Sequence, residues 1–421
     1  MRVAHFVQRY PPALGGSEAY FARLSRYLAE KGDRLTVHTT TAIDLEAFWS
    51  SRGKCLRPGR DIESGVEVRR HALWRIPEQR RILKLLSFFP NKSWQCLTQS
   101  CNPIAPSMWQ EAARGDQQFD IVHAGSFPYG YPLLCARRLA WRLGVPFVLT
   151  PFLHLGNPDA PHDKTRRAYL SPALLALLRD SDRVFVQTSI ERDALLDAGF
   201  APQKIVLQGM GVDYASCTGG NREATRSDWG IAPDGVVIGH LANNSVEKGT
   251  VDLLRAAQRA WQAGATFRVI LAGPEMPNFR FFWKSFEFTD RVRRLGVLDT
   301  QKKKDFFASI DLFAMPSWSD SFGMVFLEAW ANGIPNVAYR AGGVAAVIRH
   351  ELDGLLVRCG DLDGLAHALI RLSGNKELRE RFGQSGQARL DKEFRWEDKL
   401  RLVRETYTQL VDRRAGGDNP P

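Results

Sequence analysis

The feature that most constrains this 421-residue chain is a pair of hydrophobic periods that alternate along it, in two successive series. Short apolar or β-branched runs are followed by segments whose apolar residues recur every three or four positions: RVAHFV, then Ser17 to Lys31, then LTVHTT, and later FDIVHA, PFVLT and RVFVQTS. In Ser17 to Lys31 the side chains of Tyr20, Phe21, Leu24, Tyr27 and Leu28 fall on one helical face, and Gly32 ends the pattern. A strand followed by a covering helix, repeated, builds a parallel sheet with helices on its faces. The second series starts after GMGVD at 209–213 and a polar, glycine-rich stretch. It runs through VVIGHLA, a helix from Thr250, FRVILAG, a helix around 302–308, DLFAMP, a helix after Gly323, PNVAYR and GLLV.

That length exceeds what one hydrophobic core usually supports. The expected class is therefore α/β, with two doubly wound domains in tandem, 1–212 and 213–395. A last amphipathic helix over 396–411 carries Leu400, Val403, Tyr407, Leu410 and Val411 on one side, and the chain beyond it reads as a frayed tail. No apolar run reaches the ~18 residues of a membrane span. The amino terminus reads as a first strand and not as an export signal, so a cytoplasmic protein is expected. The six cysteines form no Cys-x-x-Cys pair and have no histidines at zinc spacing. Gly-x-Gly-x-x-Gly is absent after the first strand, which removes the dinucleotide-dehydrogenase reading, and the basic residues belong to no recognised nucleic-acid module.

The net charge of +11 is unevenly placed: residues 1–212 hold 28 Lys/Arg against 19 Asp/Glu, and the remainder 29 against 27. Much of the excess lies in an insertion at about 50–115, where 12 basic and 5 acidic residues interleave with Trp74, Phe88, Phe89, Trp94 and Trp109. Such a mixture suits an anionic membrane surface or an acidic partner; a merely solvated domain edge is the alternative.

The chemistry concentrates in SDSFGMVFLEAWANGIP, residues 319–335. In a doubly wound sheet, ligands sit beyond the carboxyl ends of the strands. DLFAMPS is a strand whose end delivers Trp318 to Gly323 to that edge, and a helix starting near Gly323 offers unpaired N–H groups to a phosphate. Glu328 lies five residues further on, about 7 Å along the helix. There it can meet the sugar attached to a phosphate held at the tip, its carboxylate accepting from two neighbouring hydroxyls, as a ribose requires. Asp320 falls on the other side of the phosphates.

This stretch resembles the signature of the retaining glycosyltransferases of family 4, which have the GT-B fold: an acid, Ser-Phe-Gly, four mostly apolar residues, Glu-Ala, a small residue and Gly-x-Pro. The chain supplies Asp320, SFG at 321–323, MVFL, Glu328, Ala329, Ala331 and GIP at 333–335. Further phrases stand around it in the family's order: GGSE at 15–18, FDIVHA, TPFLH ending at His154, KIVLQGMGVD at 204–213, EKGTVDLLRA at 247–256, ILAGP at 270–274, GGVAAVI at 342–348 and DGLLV at 353–357. The resemblance implies two Rossmann-like domains facing each other across a crevice, the amino-terminal one receiving the acceptor and the other the donor, with the carboxyl-terminal helix crossing back.

It also implies roles. Glu328 would bind the donor's ribose. The backbone of Gly323 and Met324, within the segment Ser321, Phe322, Gly323, Met324 and Val325, would hold the distal phosphate, and Lys248 would neutralise the diphosphate. Gly15 and Gly16 would close the crevice from the other side, Gly273 of ILAGP would line it, and His154 would lie beside the transferred sugar; His123, also at a strand end, is expected either to be structural or to support the residues that touch the ligand. Lys248, Glu328, Asp320 and His154 are thus the residues expected to carry the reaction.

The implied activity moves a sugar from a nucleotide-diphosphate donor to a saccharide or glycolipid hydroxyl with retention, without cofactor or divalent metal, in cell-surface polysaccharide or glycolipid synthesis at the inner face of the membrane. A soluble small-molecule acceptor, a sugar-nucleotide epimerase of the same architecture and an inactive sugar-nucleotide-binding subunit stay open. Two departures bear on chemistry. Asp320 stands where the family commonly has Glu, and IGHLANNSVEKG lacks the family's arginine before the lysine. Neutral donors such as Asn243 and Asn244, or an arginine such as Arg280 reaching in from elsewhere, are expected to compensate.

Overall fold

The computed structural model describes residues 1–160 and 162–416, so the end of the tail read from the sequence, 417–421, lies outside the described residues. Eight strands form the first sheet: β1 (Arg2–Phe6), β2 (Arg34–Thr40), β3 (Gly59–Glu63), β4 (Val66–His71), β5 (Ile121–Gly125), β6 (Phe147–Thr150), β7 (Arg183–Val186) and β8 (Ile205–Leu207). Their spatial order is β3-β4-β2-β1-β5-β6-β7-β8. The second sheet has β9 (Val237–Leu241), β10 (Arg268–Ala272), β11 (Val292–Arg294), β12 (Leu312–Met315), β13 (Asn336–Tyr339) and β14 (Gly354–Val357), in the order β11-β10-β9-β12-β13-β14. All neighbours are parallel except β3, which folds back on β4.

The inner parallel strands are buried on both faces, which is why most of them read as continuous apolar runs and not as alternation, whereas the edge strands β8 and β11 are partly exposed. β3 differs. Its residues GRDIE are almost all exposed, and its turn is made by Ser64 and Gly65, both at positive φ, the geometry a tight hairpin prefers. The charged edge strand lies within the basic insertion and carried no strand signal in the sequence.

Each sheet reverses its winding once, at β1/β5 in the first and β9/β12 in the second. At such a switch point the loops leaving adjacent strands diverge and open a crevice beyond their carboxyl ends. The loops after β1, β9 and β12 carry Gly15, Lys248 and Asp320. The two crevices face each other: the Gly156 N–H, after β6, donates to Ser319 Oγ at 3.3 Å, and the Gly342 N–H donates to the Gly156 carbonyl at 2.8 Å.

The helix Trp396–Ala415 returns to the first sheet, four residues longer than its apolar pattern suggested. Its Tyr407 is fully buried and its hydroxyl bonds His123 Nδ1, while His123 Nε2 pairs with Thr150 Oγ1 at 2.8 Å. Arg404 on the same helix bonds Asp33 at 2.8 Å. His123 is thus a core residue holding the crossover helix, and burial keeps its imidazole neutral.

Candidate functional site

The helix Met324–Ala331 starts at Gly323, whose φ of 83° no side-chain cap accompanies. The Phe326 N–H turns back to the Gly323 carbonyl at 3.0 Å, but no side chain among the described residues caps the N–H groups of Met324 and Val325, and this helix start opens on a cleft of about 640 Å³ between the two sheets. Glycine is required at 323 by more than φ: a Cβ there would lie 2.6 Å from the ring of Phe326, which is wholly buried. Ser321, Phe322, Gly323, Met324, Val325 and Glu328 all line the cleft.

Lys248 enters from the loop after β9, immediately before the helix Thr250–Gln262. Its Nζ lies 2.7 Å from Asp320 Oδ2, with both side chains largely shielded from solvent. Burial alone would raise the Asp320 carboxyl, yet the Lys248 ammonium and the neighbouring His154 hold it below its usual range. His154 is pushed down to about 4 by burial, only partly offset by Asp320, so it is a neutral imidazole at physiological pH. It lies against Tyr169, with ring centroids 5.1 Å apart. Asp320, expected on the other side of the phosphates, thus pairs with the lysine expected to neutralise them.

Glu328 sits in the same cleft, and Oε1 accepts from Lys303 Nζ at 2.5 Å. Among the described residues, its Oε2 is buried without a partner. Lys303, on the helix Thr300–Ser309, was not among the residues singled out from sequence.

From the first sheet, Gly15 and Gly16 begin the helix Gly16–Glu30 at the cleft wall. A Cβ on Gly15 would collide with Glu18 Oε2 at 2.1 Å, and one on Gly16 would meet Met324 at 3.6 Å. Glu18 is buried and pairs with Arg9 at 2.7 Å; Arg9 also donates to the Ile43 carbonyl. Both line the cleft, and the sequence reading gave neither a role, although Glu18 closes the quoted GGSE. Gly273, at φ 112°, lets the loop after β10 pass the Ala242 carbonyl, which a Cβ would approach to 1.9 Å.

The expected substitutes for the missing arginine divide. Asn243 lines the cleft, but Asn244 is buried and spends its amide on the Gly273 carbonyl at 3.1 Å, tying two crevice loops together. Arg280 is exposed on the helix Pro277–Trp283 and is not among the cleft's lining residues, so that expectation is corrected: its helix starts beyond the loop that walls the cleft. The cationic side chains that line the cleft are Arg9, Lys248 and Lys303. Away from it, His38, His71 and Glu111 offer ligand atoms within 4.8 Å of one another, but the Arg69 guanidinium already engages Glu111.

The arrangement can bind an anion at a helix start flanked by an ammonium, with a carboxylate five residues along for hydroxyl groups. The family described as glycosyl transferases group 1 matches residues 221–389, and the glycosyl transferase 4-like domain matches 15–211. The chain is 26% identical over 422 residues to D-inositol 3-phosphate glycosyltransferase of Actinosynnema mirum, covering 94% of this chain and 93% of that one. Among solved structures, it resembles sucrose-phosphate synthase from Thermosynechococcus elongatus with a TM-score of 0.71 at 19% identity, over 98% of this chain and 99% of that one. It also resembles Anabaena Alr3699/HepE in complex with UDP and glucose, with a TM-score of 0.72 at 19% identity, over 97% and 100%.

Proposed function

This chain belongs to the group 1, family 4 type of glycosyltransferases with the GT-B fold, and from that premise we propose that it transfers a sugar with retention from a nucleotide-diphosphate donor to an acceptor hydroxyl. The observation that carries the reading is the convergence, in one interdomain cleft, of the uncapped helix start at Gly323, the Lys248 ammonium and the Glu328 carboxylate. The donor diphosphate lies at the helix start beside Lys248, and Glu328 accepts from the ribose. Complexes of the similar HepE protein with UDP and with UDP-glucose support such a donor.

The acceptor hydroxyl attacks the anomeric carbon on the face the diphosphate is leaving. The new C–O bond forms as the old one breaks through an oxocarbenium-like state, and the acceptor proton passes to the departing phosphate oxygen. Neutral His154 takes no proton in this scheme and can accept or donate a hydrogen bond to the transferred sugar. Lys248 and the helix start stabilise the leaving charge, so no divalent cation is required.

A donor screen by nucleotide release in EDTA tests this. Turnover is expected in wild type and is expected to fall at least tenfold in Glu328→Ala with the fold intact. Sugar release without an acceptor product, or inversion at the anomeric carbon by NMR, would refute the reading.

For the acceptor we propose a lipid-linked saccharide met at the cytoplasmic face of an anionic membrane. No helix among the described residues is long and apolar enough to cross one. The support is the insertion: Leu85, Phe88 and Phe89 are 69%, 75% and 62% exposed, with Arg80, Arg81, Lys84 and Lys92 exposed around them. The segment adjoins the cleft, since Gln79 donates to the Phe48 carbonyl and Phe48 packs on Tyr129 of the cleft wall. Burying three such side chains is worth roughly 1.5–3 kcal/mol each, and each basic residue near an anionic surface adds about 1 kcal/mol. Wild type is therefore expected to float with phosphatidylglycerol vesicles at low salt, and Leu85→Glu/Phe88→Glu/Phe89→Glu to stay behind. If wild type fails to float, the second reading, a soluble phosphorylated acceptor favoured by the names of the inositol-phosphate relatives, replaces this one.

A further inference from the structure

The cleft holds a contact that the scheme above leaves unused. Glu328 meets its ligand with a carboxylate whose two oxygens are in unlike states: Oε1 is bonded to Lys303 Nζ at 2.5 Å, and Oε2 is buried with no partner among the described residues. A buried acceptor without a donor is costly, and a hydroxyl arriving in the cleft is the kind of group that satisfies it. We propose that Lys303 is a positioning residue for the donor's ribose, its ammonium holding one oxygen of Glu328 so that the other is presented to a ribose hydroxyl. The inference rests on the assignment of Glu328 to the ribose made above.

The surroundings of Lys303 separate it from an ordinary surface lysine. It is the middle of three consecutive lysines, and its neighbour Lys302 is 71% exposed with its nearest acid, Asp299, at 3.9 Å. Lys303 is only 28% exposed and lines the cleft. It sits three and four residues before Phe306 and Phe307, both wholly buried, so it shares the inner face of its helix. Among the described residues, Glu328 is otherwise anchored only through its main chain, where its carbonyl accepts from Asn332 Nδ2 at 2.9 Å. Lysine also suits the task better than arginine would. An ammonium makes a point contact with one oxygen, whereas a guanidinium fork tends to engage both and would leave nothing for the ribose.

The test removes the lysine and the ribose hydroxyls separately. UDP and GDP are titrated calorimetrically against wild type, Lys303→Met and Lys303→Gln, each alongside its 2′,3′-dideoxy counterpart, with Lys302→Met as a surface control. For whichever nucleotide binds, wild type is expected to prefer the ribose form by about tenfold to a hundredfold. In both Lys303 variants that preference is expected to shrink below about threefold, with affinity for the dideoxy form nearly unchanged, and Lys302→Met is expected to behave as wild type. A merely structural lysine, or one that contacts the phosphates, would weaken both forms alike and keep the preference; that result overturns the proposal, as does tighter binding of the ribose form. Should wild type itself show no preference, the Glu328 assignment fails first and the role of Lys303 with it, an outcome distinct from failure of the lysine alone.

Discussion

Lys248→Ala is expected to lower turnover by about 10²–10³-fold, the usual cost of losing one preorganised group that meets developing charge in a water-poor site. The ammonium lies in the donor cleft and does two jobs. It faces the site assigned to the leaving diphosphate, and it neutralises Asp320 at 2.7 Å. Deleting it leaves that carboxylate buried without its counter-charge, which costs stability of about 1–2 kcal/mol once partial solvent exposure is allowed for. The sign of the pH effect follows. Asp320 is held below its ordinary value in the fold, so it contributes stability above its unfolded pKa that is lost as pH falls through the folded one. Lys248→Ala should therefore unfold more readily near neutrality, with less further loss on acidification. The two jobs separate in the double variant Lys248→Ala/Asp320→Asn, which is expected to regain thermal stability by calorimetry without regaining turnover. Recovery of turnover in the double variant would show that the lysine matters only as a partner of Asp320.

How far the site was legible in the sequence depended on whether a residue's role is local. Gly323, Lys248, Gly15, Gly16 and Gly273 stand where strands end and helices begin, and those boundaries are written in short-range patterns, so the structure brings all of them to one cleft. The parallel sheets were legible for the same reason. Roles that depend on a partner distant in the chain were not. Lys303 meets Glu328 from another helix, 25 positions away. A signal for Lys303 did exist: a lysine on the same helical face as Phe306 and Phe307 is directed inward and must find an anion there. The two lysines beside it mask that signal, because a run of three charges usually faces solvent. Asn244 failed in the opposite direction, a plausible ligand by sequence whose amide the backbone of a neighbouring loop had already taken.

Gly249→Ala is expected to damage both the fold and the site, by more than any glycine substitution that meets only strain. Gly249 caps the helix Thr250–Gln262 at a φ of 73°, directly after Lys248, and an added Cβ would lie 1.8 Å from the Pro316 carbonyl oxygen at the end of β12. Left-handed backbone costs a non-glycine residue about 1–2 kcal/mol, and overpacking against groups that cannot yield adds roughly 1–3 kcal/mol. Both sides of this contact are main chain. The Trp318 N–H bonds the Glu247 carbonyl at 3.0 Å and Ser317 Oγ reaches the same carbonyl, so the loops after β9 and β12 are laced together and neither can retreat alone. Relief requires Lys248 and the segment leading to Asp320 to move apart, which opens the cleft at the position assigned to the diphosphate. Gly264→Ala is the matched control: its φ is 96°, but nothing lies within 4 Å of the added carbon. The expected result in urea unfolding is a loss of about 1 kcal/mol for Gly264→Ala with nucleotide affinity intact, against a loss of about 2–5 kcal/mol for Gly249→Ala with affinity reduced at least tenfold. Equal losses in the two variants would mean that the loops after β9 and β12 part without cost, and that the spacing of Lys248 from the Gly323 helix is not set by the contact at Pro316.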